Sequence, residues 1–116
     1  EQQAQAGGIK YHVAEFPMAD VDRALADDAP AGQARILISK GKIVGASITG
    51  AHAGELIHEL ALAMQVKAKA KDISELIHAY PAYAQINRRT INSSYAALLQ
   101  SRKVRMLAWL MNRLIP

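Results

Sequence analysis

Histidine and glutamate side chains cluster between residues 52 and 59, so a metal site is the first chemistry to test. Helical spacing would place His52, Glu55 and Glu59 near one face, with His58 three residues after Glu55. His52 and His58 would lie about 120° apart around the helix at ~100° per residue, so their imidazoles do not converge as an i, i+4 pair does. We therefore predict no metal ligands in this chain and interpret the segment as a capped helix start with surface charges.

Nucleotide-binding and nucleophile motifs are the next classes of chemistry, and the sequence lacks their complete form. The glycines of Gly45–Gly50 have the spacing that opens a phosphate-binding loop, but Ala51 and His52 stand where Lys and Ser or Thr are required. No G-x-G-x-x-G turn and no nucleophile elbow occurs. Cysteine is absent, which excludes disulfides, thiolate metal sites and a dithiol redox centre within this chain.

Length and charge define the kind of domain that must position these residues. The 116 residues are 51% hydrophobic and 5% aromatic, which supports one small domain with a single core. The net charge of +4 is unevenly distributed: residues 1–32 carry six acids and two bases, whereas residues 76–116 carry six bases and no acid. The basic end predicts an acidic protein face, nucleic acid or an anionic membrane as partner, with a solvated basic face as the alternative.

The two ends of the sequence bear on location and completeness. The chain has no apolar run of ~18 residues, and its first residues lack the basic and apolar regions of a signal peptide, so we expect a cytoplasmic protein. The first residue is Glu1 and not Met, which indicates a piece of a longer parent.

The first half of the chain predicts strands. Residues 9–16 alternate imperfectly and end at Pro17, and a helical turn is expected at Val21–Leu25. Two β-rich runs follow, Ala34–Ser39 and Ile43–Thr49, and Gly41 between them supplies the positive φ that a tight hairpin needs.

After Gly50 the apolar period changes from two to 3.6, which predicts a helix over Ala53–Val66. Its apolar stripe is expected to face the sheet and consists of Leu56, Ile57, Leu60, Ala61 and Met64. Leu62 falls on the opposite, polar face, which indicates that this face also meets a partner.

A short helix is expected to begin at Asp72. Asp72 would be its N-cap, and the Glu75 side chain would accept a hydrogen bond from the Asp72 backbone N–H in a capping box. This helix must end near Tyr80, because Pro81 disfavours the α region at the preceding residue.

Two further helices complete the chain. The first is predicted from Ile86, Ile91, Tyr95, Leu98 and Leu99, and the second is a basic amphipathic helix over residues 101–116. Strands come first and helices after them, which predicts an α+β fold: an antiparallel sheet of three or more strands, covered on one face by helices.

The most specific part of the sequence is the run from Gly45 to Ala63, Gly-Ala-Ser-Ile-Thr-Gly-Ala-His-Ala-Gly-Glu-Leu-Ile-His-Glu-Leu-Ala-Leu-Ala. With Asp22-Arg23-Ala24 upstream and Ile77–Pro81 downstream, it resembles the C-terminal dimerisation domain of the pyridine nucleotide-disulfide oxidoreductases, over about Glu1 to Arg88. The resemblance implies a homodimer and a parent enzyme that uses FAD and NAD(P)H. It also implies a fragment that has no turnover and binds neither cofactor alone, and no nucleic-acid partner.

The resemblance also suggests site residues. In the disulfide-reducing members, the stretch aligned with His78–Gln85 reads His-Ala-His-Pro-Thr-Leu-Ser-Glu, and the His before Pro is the acid/base that serves the other subunit. Tyr80 occupies that position here, and Gln85 occupies that of the Glu which orients the His. By this resemblance Tyr80 and Gln85 are the candidate catalytic residues, and Tyr80 and Pro81 face the partner's FAD.

Several departures from the family accompany the resemblance. A phenol with a pKa near ~10 is a poor proton shuttle at pH 7, so thiol-disulfide exchange does not follow from it. Tyr80 looks like the mercuric-reductase-like branch, but the C-terminal cysteine pair of that branch is absent. The family's first strand is also missing, so we expect an open sheet edge.

An alternative function does not depend on the family. The basic helices from Arg88 to Arg113 would then act as a stand-alone module on an anionic membrane or on nucleic acid. For nucleic acid the only aromatic platforms are Tyr95 and Trp109, and for a membrane the last helix is a fair interfacial segment, although membrane contact is the less favoured expectation.

Overall fold

The computed structural model describes residues 1–114, and side-chain exposure through residue 113. The helices are α1 (Gln2–Ala6), α2 (Asp22–Ala26), α3 (Ala53–Gln65), α4 (Ala70–Glu75), α5 (Gln85–Leu99) and α6 (Arg102–Leu114). The strands are β1 (His12–Pro17), β2 (Gly32–Ser39) and β3 (Lys42–Gly50), and a single 3-10 turn at Met18–Asp20 follows β1. The three strands form one antiparallel sheet in the order β1-β2-β3. This confirms the predicted α+β fold.

The hairpin between β2 and β3 is confirmed. Gly41 has φ +78° in the turn, and Lys40 before it is also left-handed. A register shift between Leu37 and Ile38 accommodates the twist of the pair. The turn therefore sets the register that places the apolar side chains of both strands on one face.

At the other end of the same hairpin two glycines face each other. Gly32 pairs with Gly50, and their φ values are +116° and +118°. A Cβ at Gly50 would lie 2.5 Å from the carbonyl oxygen of Ala31, so only glycine fits. This close approach fixes where the chain leaves β3 for α3, and it explains the glycine at position 50 without a phosphate ligand.

One face of the sheet carries the core. Alternate strand residues such as Ala14, Ile36 and Ile38 pack against α3, α4 and α5, as predicted. The helix residues that complete this core are Leu60, Ala63, Ile73 and Ile91. A second cluster beside it joins Met18, Val21 and Ala24 to Leu56 and Ile86.

The opposite face of the sheet is not entirely bare, because α1 lies near it. Arg35 of β2 bonds the Glu1 carboxylate at 2.7 Å and pairs with Glu15 at 2.6 Å. These half-exposed ion pairs contribute little to stability.

Two predicted details are wrong. The first strand begins at His12 and includes Pro17, because residues 9–11 lie outside the ladder. In α3 the buried stripe is Leu56, Leu60 and Ala63, whereas Ala61 and Met64 are exposed. The helix predicted from Ile86, Ile91, Tyr95, Leu98 and Leu99 is confirmed as α5, in which Leu98 and Leu99 are exposed.

The fourth helix also differs from its prediction. It begins two residues early, so Asp72 is its third residue, and the Asp72 carboxylate accepts a hydrogen bond from the Lys69 N–H at 2.8 Å. It ends at Glu75, because Leu76 is already extended (φ −64°, ψ 133°). Asp72 therefore helps to cap this helix, as predicted, but from its third position and not as the N-cap residue.

The outer edges of the sheet differ from each other. Ser93 of α5 donates to the Glu15 carbonyl of β1 at 3.1 Å, so α5 approaches that edge. Within residues 1–114, β3 pairs on its outer side only through the isolated bridge between Lys42 and Lys69. In the described sheet β1 and β3 are thus both edge strands, in agreement with the predicted open edge.

Candidate functional site

The segment between α4 and α5 carries the predicted site residues. Tyr80 precedes Pro81 through a cis peptide bond, and both residues are exposed. The Tyr80 side chain is open to solvent, with the residue 69% exposed. The turn therefore presents a phenol at the surface of the domain.

Asp22, at the start of α2, is the group that acts on Tyr80. Hydrogen bonding and the negative charge of Asp22 raise the pKa of the Tyr80 phenol above its usual value. Asp22 in turn lies 3.6 Å from the Arg89 guanidinium of α5. At neutral pH the Tyr80 hydroxyl therefore keeps its proton, and the phenolate form is even scarcer than in a free tyrosine.

Gln85, the second predicted site residue, is the first residue of α5. Its Oε1 atom is buried and has no hydrogen-bond partner in residues 1–113. The structure thus brings Tyr80 to Asp22 and leaves the side-chain oxygen of Gln85 as an unused acceptor.

Beneath the turn lies a polar network that the sequence analysis missed. The side chain of His78 is only 5% exposed, and its Nε2 lies 2.8 Å from Oε1 of Glu59 in α3. Asn87 of α5 is fully buried and donates from Nδ2 to the other Glu59 oxygen at 2.7 Å and to the Leu56 carbonyl at 3.0 Å. We call Glu59, His78 and Asn87 the buried triad.

The buried triad joins three elements. Glu59 uses both carboxylate oxygens, one for the segment before Tyr80 and one for α5. His78 also lies with Nδ1 3.2 Å from the Leu76 carbonyl, where the chain leaves α4. The Glu59 side chain is 27% exposed, so its two hydrogen bonds are only partly buried. Since hydrogen bonds to charged groups are stronger than neutral ones, they still hold the turn at Tyr80–Pro81 from below.

The predicted cluster around His52 is dispersed in the structure. His52 is left-handed (φ +59°) and precedes α3, and its ring packs against that of Tyr83 at a tilt of 47° with centroids 4.5 Å apart. Glu59 turns instead to the buried triad. Across residues 1–113, no group of three or more His, Asp or Glu side chains is placed to hold a metal.

A second brace ties α2 to the start of α5. The Tyr83 hydroxyl donates to Asp27 at 3.0 Å, and Arg23 contacts the same carboxylate oxygen at 3.0 Å. The Arg23 and Tyr83 hydrogen bonds lower the pKa of Asp27. The Tyr80 turn is thus flanked by α2 contacts on one side and by the buried triad on the other.

Comparison with known protein families shows which family this chain belongs to. The sequence model described as "Pyridine nucleotide-disulphide oxidoreductase, dimerisation domain" matches residues 1–90. The chain belongs to this family. The match includes Tyr80, Gln85 and the buried triad, and it ends within α5.

Relatives agree with the family assignment. The chain is 41% identical over 83 residues to a dihydrolipoyl dehydrogenase of Vibrio parahaemolyticus, which covers 70% of this chain and 18% of that protein. It is 38% identical over 97 residues to a leghemoglobin reductase of Vigna unguiculata, covering 82% of this chain and 18% of that protein. The dimerisation domain therefore spans less than a fifth of the length of either relative.

Solved structures show the same fold. The HOCl-induced flavoprotein disulfide reductase RclA of Escherichia coli superposes with a TM-score of 0.75 at 19% identity, over 79% of this chain and 22% of that chain. LpdA of Mycobacterium tuberculosis gives a TM-score of 0.72 at 19% identity, over 78% and 20%. At this identity the likeness establishes the fold of the dimerisation domain.

Proposed function

We propose that this dimerisation domain is part of an FAD- and NAD(P)H-dependent oxidoreductase, and that it completes the active site of the partner subunit in a homodimer. The family match over residues 1–90 supports the general role. The observation that carries the finer proposal is the turn at Tyr80–Pro81, which is exposed outside and anchored inside by the buried triad. A side chain that acts on a cofactor held by another subunit needs this combination of access and fixed position.

The dimer contact would involve the surface around the same turn. Leu62 and Ile77 are 60% and 92% exposed. Leu62 follows Glu59 by three residues on α3, and Ile77 adjoins His78, so the Glu59–His78 contact brings their positions together. Burial of such side chains is the main favourable term in association, which supports this patch as the interface.

The residues around Tyr80 fit contact with the edge of a flavin from a second subunit. The phenol is exposed and protonated, and Pro81 beside it is exposed as well. The sequence offers no glycine-rich turn to seat a pyrophosphate, so we expect the isolated domain to bind neither FAD nor NAD(P)H and to have no turnover. When bound in the parent enzyme, FAD would carry electrons between NAD(P)H and the acceptor.

Within that site the Tyr80 hydroxyl would turn from Asp22 and donate its one hydrogen bond to the substrate. Asp22 raises the pKa of the phenol, so the hydroxyl keeps its proton at neutral pH and does not serve as a general base. Gln85 would act as a positioning residue, because its buried Oε1 is an acceptor still without a donor in the described part of one subunit. This division of roles differs from a histidine–glutamate pair, which moves a proton.

The replacement Tyr80→Phe in the full-length parent tests the role of the hydroxyl. We expect FAD content and dimerisation to be unchanged and kcat/KM to fall roughly tenfold, equivalent to ~1.4 kcal/mol for one lost transition-state hydrogen bond. Tyr95→Phe is the matched control, because that ring packs against the core and its loss of a hydroxyl should leave kcat/KM within about twofold. Unchanged kinetics for Tyr80→Phe with several electron acceptors would reduce the turn to a structural feature.

A further inference from the structure

Helix α6 presents an apolar surface that no part of the described chain covers. All its side chains from Arg102 to Arg113 are exposed. The apolar residues Val104, Leu107, Ala108 and Met111 follow at i, i+3, i+4 and i+7, so they form one stripe, which Leu110 widens on one side. An apolar face of this size indicates a binding surface.

The other side of α6 is basic. Arg102, Arg105 and Arg113 recur at helical spacing, and Trp109 lies among them with the Arg113 guanidinium 5.1 Å from its ring. The sequence holds no Asp or Glu after Glu75, so no acidic side chain in residues 76–116 offsets these charges. The helix thus carries an apolar face and a cationic face that both require a partner.

The known role of the family does not account for this helix. The family match ends at residue 90, and α6 begins at Arg102. The helix also follows Leu62 and Ile77 in the sequence, and it contains neither of these two residues that we assign to the dimer contact. Its partner can therefore be tested separately from the proposed function.

We propose that α6 is a peripheral membrane helix that lies in the headgroup region of an anionic bilayer. Charge complementarity selects this occupant: anionic lipid accepts the arginines and the adjacent acyl chains accept the Met and Leu side chains. Nucleic acid would neutralise the arginines but leave the apolar stripe in water. A second copy of α6 would cover the stripe but leave both cationic faces on the outside without an anionic partner.

The length of α6 fits this orientation. Its 13 residues span ~20 Å at 1.5 Å per residue, shorter than the ~30 Å hydrocarbon core. Of the helices in the described residues, none has the length and apolarity to cross a membrane. The helix would rest on one leaflet with its axis in the plane of the membrane.

Vesicle flotation of the 116-residue chain tests the proposal. The probes are vesicles of phosphatidylcholine with 30 mol% phosphatidylserine and vesicles of phosphatidylcholine alone, at two salt concentrations. We expect flotation with the anionic vesicles only, and weaker binding at higher salt. The same chain is titrated with duplex and single-stranded DNA in parallel.

Two variants and a control locate the binding surface. Arg102→Gln with Arg105→Gln should weaken vesicle binding by roughly 25-fold, since each cation near an anionic surface contributes about fivefold. Leu107→Ser with Met111→Ser should weaken it by at least about tenfold with the charge unchanged. The control, Lys10→Gln with Lys42→Gln, removes the same charge from exposed positions outside α6 and should change binding less than about twofold.

The remaining outcomes contradict the proposal. Failure of the chain to float with anionic vesicles would overturn it, as would equal losses in the α6 and lysine variants, which would mean that net charge alone drives binding. Tighter binding to DNA that depends on Trp109 would assign the helix to nucleic acid. Concentration-dependent self-association that Leu107→Ser with Met111→Ser abolishes, without lipid binding, would assign it to a second copy.

Discussion

The replacement Gly50→Ala is expected to destabilise the domain by about 3–5 kcal/mol, a large share of the roughly 5–15 kcal/mol that stabilises a typical native protein. The new Cβ would meet the Ala31 carbonyl at 2.5 Å, and a φ of +118° is strained for any residue except glycine. The clash with Ala31 cannot relax without opening the Gly32–Gly50 pair, because the obstructing oxygen belongs to the backbone. Urea denaturation followed by circular dichroism measures the loss.

Gly54→Ala is the matched control for this prediction. Gly54 lies near the start of α3, and a Cβ there meets no atom within 4 Å. Because alanine favours the helix, we expect a gain of up to ~1 kcal/mol. A loss of less than about 1 kcal/mol in Gly50→Ala would contradict the close approach that the structure shows.

The sequence predicts the secondary structure around the junction of β3 and α3, but it does not predict why position 50 must be glycine. Spacing alone places Gly50 in a motif similar to a phosphate loop, and the missing lysine already argues against that reading. The hairpin and α3 follow from local signals, namely Gly41 and a change of period from two to 3.6. The demand for glycine at position 50 comes from Ala31, a residue 19 positions away, so no local pattern reveals it.

Asn87→Ala is the second large expected effect, with a loss of about 2–4 kcal/mol in unfolding free energy. Asn87 is fully buried and donates to the Leu56 carbonyl and to Glu59. Its removal leaves the Glu59 carboxylate short of a donor and opens a cavity under the turn. Thermal and urea unfolding measure the loss, and hydrogen exchange of residues 76–80 should accelerate as the anchor is lost.

Asn92→Ala, on the same helix, is the control. Asn92 is partly buried and accepts one hydrogen bond, from Ser74. We expect a loss below ~1 kcal/mol there, since one neutral bond is lost and alanine favours the helix. Equal effects of the two variants, or a coupling energy near zero between Asn87→Ala and Glu59→Ala, would show that the buried triad does not act as a unit.

The buried triad marks the limit of prediction from the sequence. Its members are 9 to 28 residues apart on α3, the segment before Tyr80, and α5, so no helical or strand period connects them. The same tertiary contact explains why α4 ends at Glu75 and not near Tyr80, because His78 needs an extended backbone to reach Glu59. Proline chemistry at position 81 predicts that the helix must stop, whereas the tertiary anchor decides where.

The candidate site divides in the same way. The resemblance selects positions 80, 81 and 85, and the structure brings Asp22 to Tyr80 from 58 positions away. The effect of Asp22 on the pKa of Tyr80 depends on the docking of α2 against α5, which composition and spacing do not encode. The residue types at the site can therefore be predicted from the sequence, whereas the effect of Asp22 on the pKa of Tyr80 can be found only from the fold.

Sedimentation equilibrium of the 116-residue chain, from micromolar to several hundred micromolar, tests most directly that the domain dimerises through the surface beside Tyr80. We expect a dimer of twice the 12.6 kDa chain mass. Leu62→Asp with Ile77→Asp should shift it to monomer, because a charged pair on each subunit would be buried unpaired. The control Ile9→Asp changes an exposed apolar residue beside α1, outside α2, α3 and the Tyr80 turn, and should leave the dimer intact. A wild-type chain that stays monomeric throughout this range, or a dimer that the double variant does not weaken, would contradict the account.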